Sequence, residues 1–571
     1  MAVTNSTLLA FRVLLCCALA STITIFLPLA LRPCAHSLSR TILATTGLDP
    51  LLISCTSHAA TKAPGDRGAA VNKASNGGGR PIVTDLLRCG EPSLPPHALP
   101  PFHCCPPTPE AAVVNFTFPD AAEPLRTRRP AHDAGDDMAK LARAVALMKA
   151  LPPSDPRSFY QQANVHCAYC TGAHRQAGTE LPLQIHYSWL FFPFHRAYLY
   201  FFERIAARLL DDPSFAVPFW AWDLPEGMRA PPEFFSDEAS PLYDALRNPR
   251  HVPPRVVDLD FSYVEKNITD EEQVELNLRI MYKTMVTNAK LPSLFHGQPY
   301  RAGDRAMPGA GTVELALHNV VHRWTGDLSR PNNENMGAYY SSARDPIFYP
   351  HHANSDRLWE VWRGGDISGG DRRQPRHVDF TDSDWLDSSF LFYDEEARLV
   401  RVTVRDMLDV EKLRYTYADV GTPWLDARPP VTAGVSHRRG GPPPLESVRF
   451  PVFLDVAVSA AMTRPPRWHD DEVEVLVVEG IEADGAEFVR FDVYVNAMEH
   501  EKISPGAREV AGSFVSLKQP GMEVVQTSMR AVLDEVLEDL GVEGDDSVTV
   551  TLVPVMGRVR IGGLRVVYIA E

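Results

Sequence analysis

Histidines at helical spacing are the residues of this sequence best suited to chemistry. In TVELALHNVVHRWTGD, His318 and His322 lie four positions apart, which on a helix stacks two imidazoles on one face with about 6 Å between their Cβ atoms. Glu314 lies one turn earlier on that face. One such pair is as often a surface or core feature as a metal site. Two further histidine segments, IHYSWLFFPFHRAYLYFFER and DPIFYPHHANSDRLWEVW, also stand beside aromatic stretches, so together the three segments favour a metal site.

His186 and His195 cannot both be ligands from one continuous helix. At about 100° per residue, their separation puts the two side chains on opposite faces. Pro193 fits the first turn of a helix, so we expect a helix to start there and carry His195, while His186 belongs to the approaching segment. His166 could supply a third imidazole from a loop of its own.

The stretch QANVHCAYCTG sets two cysteines directly after His166, at a spacing found in many zinc sites. A zinc site would need two more thiolates or imidazoles nearby. Of the nine cysteines, those beyond the N-terminal segment are Cys89, Cys104, Cys105, Cys167 and Cys170. The adjacent Cys104 and Cys105 cannot easily pair with each other, so Cys89 and Cys167 are their natural partners. Two such disulfides indicate an oxidising compartment and leave Cys170 over.

Composition narrows the classes of partner. The chain has 571 residues, too many for one core, and its 45% apolar and 22% charged residues are typical of a soluble protein with two domains. A net charge of −16 opposes a phosphate backbone, so we expect no nucleic-acid partner. Residues 1–48 have no acidic side chain and are rich in Ser, Thr, Leu and Ala, which is typical of a targeting leader.

Two destinations for that leader stay open. An acid-poor leader suits an organelle, here a plastid and its thylakoid lumen, whereas the apolar run at 13–31 resembles a secretory signal and suggests the secretory pathway or vacuole. We expect no stable membrane insertion after processing.

Several long motifs resemble those of a known family. HCAYC, SWLFFPFHR, HNVVHRWTGD, DPIFYPHHANSDRLW, DWLDSSFLFYDEEARLVRV and VRFDVYVNA occur in this order in plant polyphenol oxidases, the catechol oxidase and tyrosinase group of type-3 copper proteins. The resemblance implies two copper ions per chain. It implies the ligands His166, His186 and His195 for one copper and His318, His322 and His352 for the other. His351 would be a neighbour, not a ligand.

Neutral imidazoles with almost no carboxylate also suit copper better than iron or manganese. The resemblance further implies that Cys167 takes a disulfide and that Cys170 is joined by a thioether to the imidazole of His186. Glu314 would hold a water with Asn319 and accept the phenol proton; the alternative is that Glu314 orients an imidazole. Asp356 is expected to be a stabilising charge and not a ligand. Tyr339 stands where the family usually has a gate phenylalanine.

The implied fold is multidomain: a mainly α, four-helix-bundle dicopper domain followed by a β-sandwich. We expect a targeting leader and disordered segment at 1–88, the dicopper domain at 89–424, a proline- and glycine-rich linker at 425–445 and a β-rich shielding domain at 446–571. The linker is indicated by the prolines and glycines of DARPPVTAGVSHRRGGPPPLES. The strands are indicated by short runs of alternating β-branched residues after this linker.

The implied activity is oxidation of o-diphenols by O2 to o-quinones and water, with monophenol hydroxylation as a further activity. The enzyme would be a latent proenzyme until a protease cuts the linker, and its partners would be small phenols and O2. Two alternatives remain: hemocyanin-like oxygen binding without turnover, and an aurone-forming oxidase with a narrow product.

Overall fold

The structure is a computed structural model that describes residues 79–107, 112–364, 377–434, 448–497, 499–519 and 523–570. Residues 1–78 of the leader predicted at 1–88 and residues 435–445 of the linker predicted at 425–445 lie outside this described part.

Helices dominate the described residues between 131 and 364. The α-helices are α1 Asp137–Ala150, α2 Phe159–Cys170, α3 Phe191–Leu210, α4 Asp270–Tyr282, α5 Pro292–Phe295, α6 Asn319–Thr325, α7 Phe348–Gly364, α8 Ser383–Leu386 and α9 Asp534–Asp539. Two π-helical segments occupy Lys283–Thr287 and Val313–His318, and the second runs directly into α6. Short 3-10 turns lie at Ala131–Asp133, Pro225–Gly227, Pro232–Phe234, Ser342–Arg344, Val404–Met407, Pro423–Asp426 and His500–Lys502.

Helix α3 is the centre of the helical domain. Its residues are buried from Phe191 to Ala207 with the exception of Arg204, as expected for a helix surrounded by others. Helices α1 and α7 pack against it, and α2 and the π–α6 segment complete a four-helix bundle with α3 and α7 around one apolar core. The helix ends at Leu210, and the following Asp211 adopts a left-handed conformation.

The strands of the described residues form five sheets. They are β1 Thr84–Cys89, β2 Val114–Asn115, β3 Arg126–Arg128, β4 His174–Gln176, β5 Ser389–Tyr393, β6 Leu399–Thr403, β7 Tyr415–Tyr417, β8 Val452–Phe453, β9 Val458–Thr463, β10 Val473–Asp484, β11 Val489–Val495, β12 Val510–Ser516, β13 Val524–Val532, β14 Ser547–Met556, β15 Val559–Ile561 and β16 Gly563–Ile569. Three small sheets, β1-β4, β2-β6-β5 and β3-β7, belong to the helical domain.

Strands β8 to β16 confirm the predicted β-sandwich. One sheet has the order β13-β10-β15-β8 with β16 also paired to β10, and the other has the order β12-β11-β14-β9. Alternate residues of both sheets share one apolar core, including Leu476, Phe491, Phe514 and Val550.

The ends of the predicted leader and linker differ from expectation. The sequence predicts a disordered leader up to residue 88, but strand β1 pairs with β4, Ile82 is buried, and the backbone N–H of Arg80 donates to Asp384. Residues 79–88 therefore belong to the packed part of the chain, ahead of the start expected near Cys89. The first residues of the predicted linker also pack: Arg428 pairs with Asp539, and Thr432 N–H donates to Glu509.

The sandwich contacts the helix that carries the central histidine pair. Strand β12 packs against both π-helical segments and α6. In the described part of the chain, no helix has the length and apolar character needed to cross a membrane.

Candidate metal centre

His166 lies on a helix, contrary to the expectation of a loop. Helix α2 begins after Ser158, whose hydroxyl accepts from Gln161 N–H, and the segment from Phe159 to Cys170 is buried almost throughout. Burial by the bundle, and not a metal, explains why the segment is helical. The His166 Nδ1–H donates to the carbonyl of Tyr339 at 2.8 Å.

His186 and His195 approach the same place from two elements, as the sequence analysis predicted. Helix α3 begins at Phe191, so Pro193 lies in its first turn, and His195 follows within the same helix. His195 Nδ1–H donates to the carbonyl of Phe191 at 2.8 Å. His186 lies in the preceding loop, where Gln184 Oε1 lies 3.2 Å from its Nδ1.

His318 and His322 project from the junction of the π-helical segment and α6. His322 Nδ1–H donates to the carbonyl of Met336 at 2.7 Å, and His318 Nδ1–H donates to Asn319 Oδ1 at 3.0 Å. A π-turn at a functional site is a recurrent feature, and here it replaces the regular helix expected from sequence.

The histidines form two groups with adjoining rings. One group is His166, His186 and His195; the other is His318, His322, His351 and His352; within each group the potential ligand atoms lie within 4.8 Å of one another. In the first group the three ring centroids are 5.3 to 5.6 Å apart. The groups meet where His195 stacks on His352, with 4.2 Å between centroids.

Hydrogen bonding fixes which ring nitrogens are free. A carbonyl or amide oxygen can only accept, so the Nδ1 of each histidine bonded to one carries the proton and its Nε2 keeps a lone pair. This applies to His166, His186, His195, His318 and His322. Two of these lone pairs, on His318 and His322, face each other at 3.0 Å. Converging buried lone pairs repel unless a cation lies between them, so this donor set fits bound copper.

His351 and His352 differ in the contacts of their ring nitrogens. The indole N–H of Trp222 donates to His351 Nδ1 at 3.2 Å, and because indole is a donor only, a neutral His351 carries its proton on Nε2. His352 Nε2 instead lies 3.3 Å from His322 Nε2. Its Nδ1 has no hydrogen-bond partner within the described residues. This geometry favours His352 as the third ligand beside His318 and His322.

Burial keeps the imidazoles neutral. It lowers the pKa of His195 to about 3 and the pKa of His322 to about 4. Burial also lowers the pKa values of His166, His186, His318 and His352 well below the usual range, and neighbouring imidazoles add to the effect. Neutral imidazole is the form that binds metal.

Glu314 is buried beside this centre. Its Oε1 accepts from the backbone N–H of Tyr187 at 2.7 Å, and its Oε2 has no partner within the described chain. Burial raises the pKa of Glu314 well above its usual range, only partly opposed by that hydrogen bond. A carboxylate with a raised pKa is suited to accept a proton.

Asn319 and Tyr339 share a hydrogen bond. Tyr339 O–H donates to Asn319 Oδ1 at 3.1 Å, and the Tyr339 ring lies over the His186 ring with 4.2 Å between centroids. The Asn319 amide N–H donates to the carbonyl of Val515, in strand β12. Val515 could not be predicted as part of this site, because nothing in the β-rich segment signals which strand reaches the histidines. Tyr187, which donates to the same carbonyl, also went unrecognised, because its contact depends on that strand.

Asp356 is a buried structural charge. It accepts from Arg196 at 2.5 Å and from Arg128 at 3.1 Å. The hydroxyls of Tyr415 and Tyr417 donate to it at 2.8 and 2.6 Å. These four contacts occupy the carboxylate, so it orients helix α7 and does not point to a metal.

The cysteines are placed around helix α2. Disulfides join Cys89 to Cys105 and Cys104 to Cys167. Cys170 is buried and outside these disulfides. Gln184, which bonds His186, also donates to the Cys170 carbonyl at 2.9 Å.

Comparisons with known proteins cover most of the chain. Residues 156–364 match the common central domain of tyrosinase, 379–430 match the polyphenol oxidase middle domain, and 450–568 match the chloroplastic polyphenol oxidase C-terminal domain. Aureusidin synthase of Antirrhinum majus is 48% identical over 501 residues, covering 84% of this chain and 87% of that protein. A chloroplastic polyphenol oxidase of Malus domestica is 47% identical over 512 residues, covering 85% of this chain and 84% of that protein.

A solved structure of latent aurone synthase extends the similarity to the whole described fold. It matches with a TM-score of 0.80 at 40% identity and covers 86% of this chain and 99% of that one. Its similarity spans both the helical domain and the sandwich. This chain belongs to the plant polyphenol oxidase family, oxidoreductases with a tyrosinase-type copper domain.

Proposed function

We propose that this protein oxidises o-diphenols with O2 at two copper ions, two diphenols and one O2 giving two o-quinones and two waters. One copper would be held by His166, His186 and His195. The other would be held by His318, His322 and His352. The observation that carries the proposal is the convergence of buried Nε2 lone pairs, including the 3.0 Å approach of His318 and His322. Bound copper supplies the transfer of electrons from the phenol to O2.

The chain's own side chains would orient the substrate and move its proton. Glu314, with a raised pKa and an unshared Oε2 among the described residues, would accept the phenol proton. Asn319 would join it in holding a water through the amide hydrogen that does not bond Val515. Tyr339, whose ring packs at a tilt against His186, would shape the approach to one copper.

A thioether between Cys170 and a ring carbon of His186 would fix one ligand. Forming it removes the thiol hydrogen and a ring hydrogen as two protons and two electrons, which O2 can accept at the copper centre. Support comes from the buried Cys170 outside the disulfides and from Gln184, which contacts both partners.

The sandwich would keep the enzyme latent until a protease cuts the linker. Strand β12 packs on the helix that carries His318 and His322, so substrate access requires that strand to move. A solved relative with both domains is itself called latent.

The relatives support a plastid destination, because several are chloroplastic polyphenol oxidases. We propose the thylakoid lumen, where two disulfides can form and persist. Fluorescent fusion of residues 1–88 tests this, since vacuolar fluorescence would favour the secretory alternative.

A copper-loading experiment tests the activity. Protein loaded with copper and nicked at the linker should produce quinone absorbance from 4-methylcatechol, whereas a copper-free control should not. Reversible O2 binding without quinone would favour the oxygen carrier.

A narrower product is a second candidate, favoured by the 48% identity to aureusidin synthase. Comparison of chalcones with simple catechols as substrates separates the two. Preferential turnover of chalcones would support an aurone-forming oxidase.

A further inference from the structure

One backbone carbonyl of the sandwich accepts two side-chain hydrogen bonds from the helical domain. Val515 in strand β12 receives the Asn319 amide N–H at 2.9 Å and the Tyr187 hydroxyl at 3.2 Å. All three residues are buried. The carbonyl therefore occupies a place where two donors from different elements converge.

The Asn319 donor does not depend on Val515 for its direction. Its Oδ1 accepts from His318 Nδ1–H at 3.0 Å and from Tyr339 O–H at 3.1 Å, which turns the amide nitrogen the opposite way. An amide held by two donors on its oxygen keeps its orientation when the acceptor on its nitrogen leaves.

The backbone of Tyr187 is also restrained independently of Val515. The residue directly follows His186, has a positive φ of 56°, and its N–H is bound by Glu314. A tyrosine rarely adopts this backbone conformation, so the surrounding contacts must fix it. Withdrawal of β12 would leave two fixed donors beside the histidines, with one acceptor position between them.

We propose that Tyr187 and Asn319 form a two-donor subsite that receives an sp2 acceptor oxygen, a ketone or carboxylate carried on the phenol side chain. The Val515 carbonyl fills this subsite in the intact chain. A phenol with a positively charged substituent is disfavoured, because Tyr187 and Asn319 both present donor hydrogens to the subsite. The Val515 carbonyl oxygen thus accepts the same two hydrogen bonds that the substrate's acceptor oxygen would accept after the strand withdraws. The inference rests on the proposed function, because it concerns which phenols that centre prefers.

The test uses a matched pair of substrates, 3,4-dihydroxyacetophenone and 4-ethylcatechol, which differ mainly by the ketone oxygen. Each is given to the copper-loaded full chain nicked at the linker, as wild type and as Tyr187→Phe. The ratio of kcat/KM for the ketone over the ethyl compound should fall about tenfold in the variant, the usual effect of losing one good hydrogen bond. Comparing variants cancels the electronic effect of the ketone on the ring.

Tyr300→Phe is the control, because Tyr300 is equally buried but bonds Gln176, away from the histidines. It should keep the wild-type ratio. A Tyr187→Phe ratio within twofold of wild type would overturn the subsite. A wild type that oxidises neither compound would instead overturn the proposed function, and the subsite with it.

A second measurement covers the case in which Tyr187→Phe does not fold or bind copper. In the wild type, KM for the ketone should then be about tenfold lower than KM for 4-ethylcatechol. Equal KM values would refute the subsite without any variant.

Discussion

At the scale of residues, the hydrogen bonds and the mutual approach of the ring nitrogens indicate which imidazoles can bind copper. Replacing His322 or His352 with Ala removes one of the three imidazole nitrogens proposed to bind the copper at His318. We expect at least one copper per chain to be lost and catechol oxidation to be abolished while the fold survives. Metal analysis of the purified variants, with circular dichroism as a check on folding, measures this.

His351→Ala is the matched control for the ligand prediction. Its Nδ1 lone pair is taken by Trp222, so its loss should leave both coppers in place. Two retained coppers and full activity in His322→Ala or His352→Ala would contradict the ligand set.

Cys170 gives a second prediction at this scale. After reduction and alkylation, Cys170 should remain unalkylated, and its peptide should stay joined to the peptide of His186, because reductants cleave disulfides and not carbon–sulfur bonds. Cys89, Cys104, Cys105 and Cys167 should become alkylated. Peptide mapping by mass spectrometry gives the answer. Two separate peptides from active, copper-loaded enzyme would exclude the thioether as a requirement.

The histidine positions could be anticipated from the sequence, because helical spacing and Pro193 restrict where imidazoles can point. Tyr187 and Val515 could not. Their meeting depends on how two domains dock, and a strand residue carries no local signal of what its carbonyl will contact.

At the scale of elements, Asp356 joins helix α7 to helix α3 and to strands β3 and β7 through Arg196, Arg128 and two tyrosines. Asp356→Asn leaves two buried guanidinium groups without their shared charge. We expect the variant to lose about 3 kcal/mol of unfolding free energy at pH 7. Urea unfolding measures the loss.

The same variant has a defined pH dependence. Burial acts to raise the pKa of Asp356, but Arg196 and Arg128 outweigh it and hold that pKa below its usual range. A lowered carboxylate pKa adds stability above the unfolded pKa and loses it as pH falls through the folded pKa. The difference between wild type and variant should therefore shrink below about pH 4.

Asp387→Asn is the control for Asp356→Asn. Asp387 forms an exposed pair with Arg405, and exposed pairs contribute little. A loss as large as that of Asp356→Asn, or no loss in Asp356→Asn, would show that the buried cluster does not stabilise the bundle.

The sandwich could be predicted from alternating β-branched runs, and the bundle from helical periodicity and the family motifs. The helix at His166 could not, because its helicity comes from burial among other helices and not from an amphipathic pattern. Strand β1 was missed for a similar reason: it is short and gains its order from pairing with β4.

At the scale of the whole molecule, shielding by the sandwich predicts a low activity of the intact chain. Protein cut between Asp426 and Ser447 should oxidise catechol several times faster than intact protein, because the sandwich is then free to leave the histidine centre. Turnover measured before and after mild proteolysis tests this. Equal rates would exclude shielding.

A buried interdomain ion pair offers a second test of shielding. Glu535 of α9 lies 3.1 Å from Lys290 and accepts from Thr287 at 3.0 Å, both in the helical domain. Glu535→Gln removes the charge that this interface buries, so the intact variant should show severalfold higher catechol turnover than intact wild type. The exposed Glu543→Gln should match wild type. Unchanged latency in Glu535→Gln would show that another contact holds the domains together.

The carbonyls of Met336 and Tyr339 lie on one short segment, and they orient His322 and His166, one histidine from each trio. A displacement of this segment would turn both imidazoles at once. The two coppers should therefore bind cooperatively. Copper bound by one set of three histidines would fix the segment from Met336 to Tyr339, which also orients a histidine of the other set. Titration of copper-free protein followed by native mass spectrometry should show mainly empty and doubly loaded chains, with few singly loaded ones.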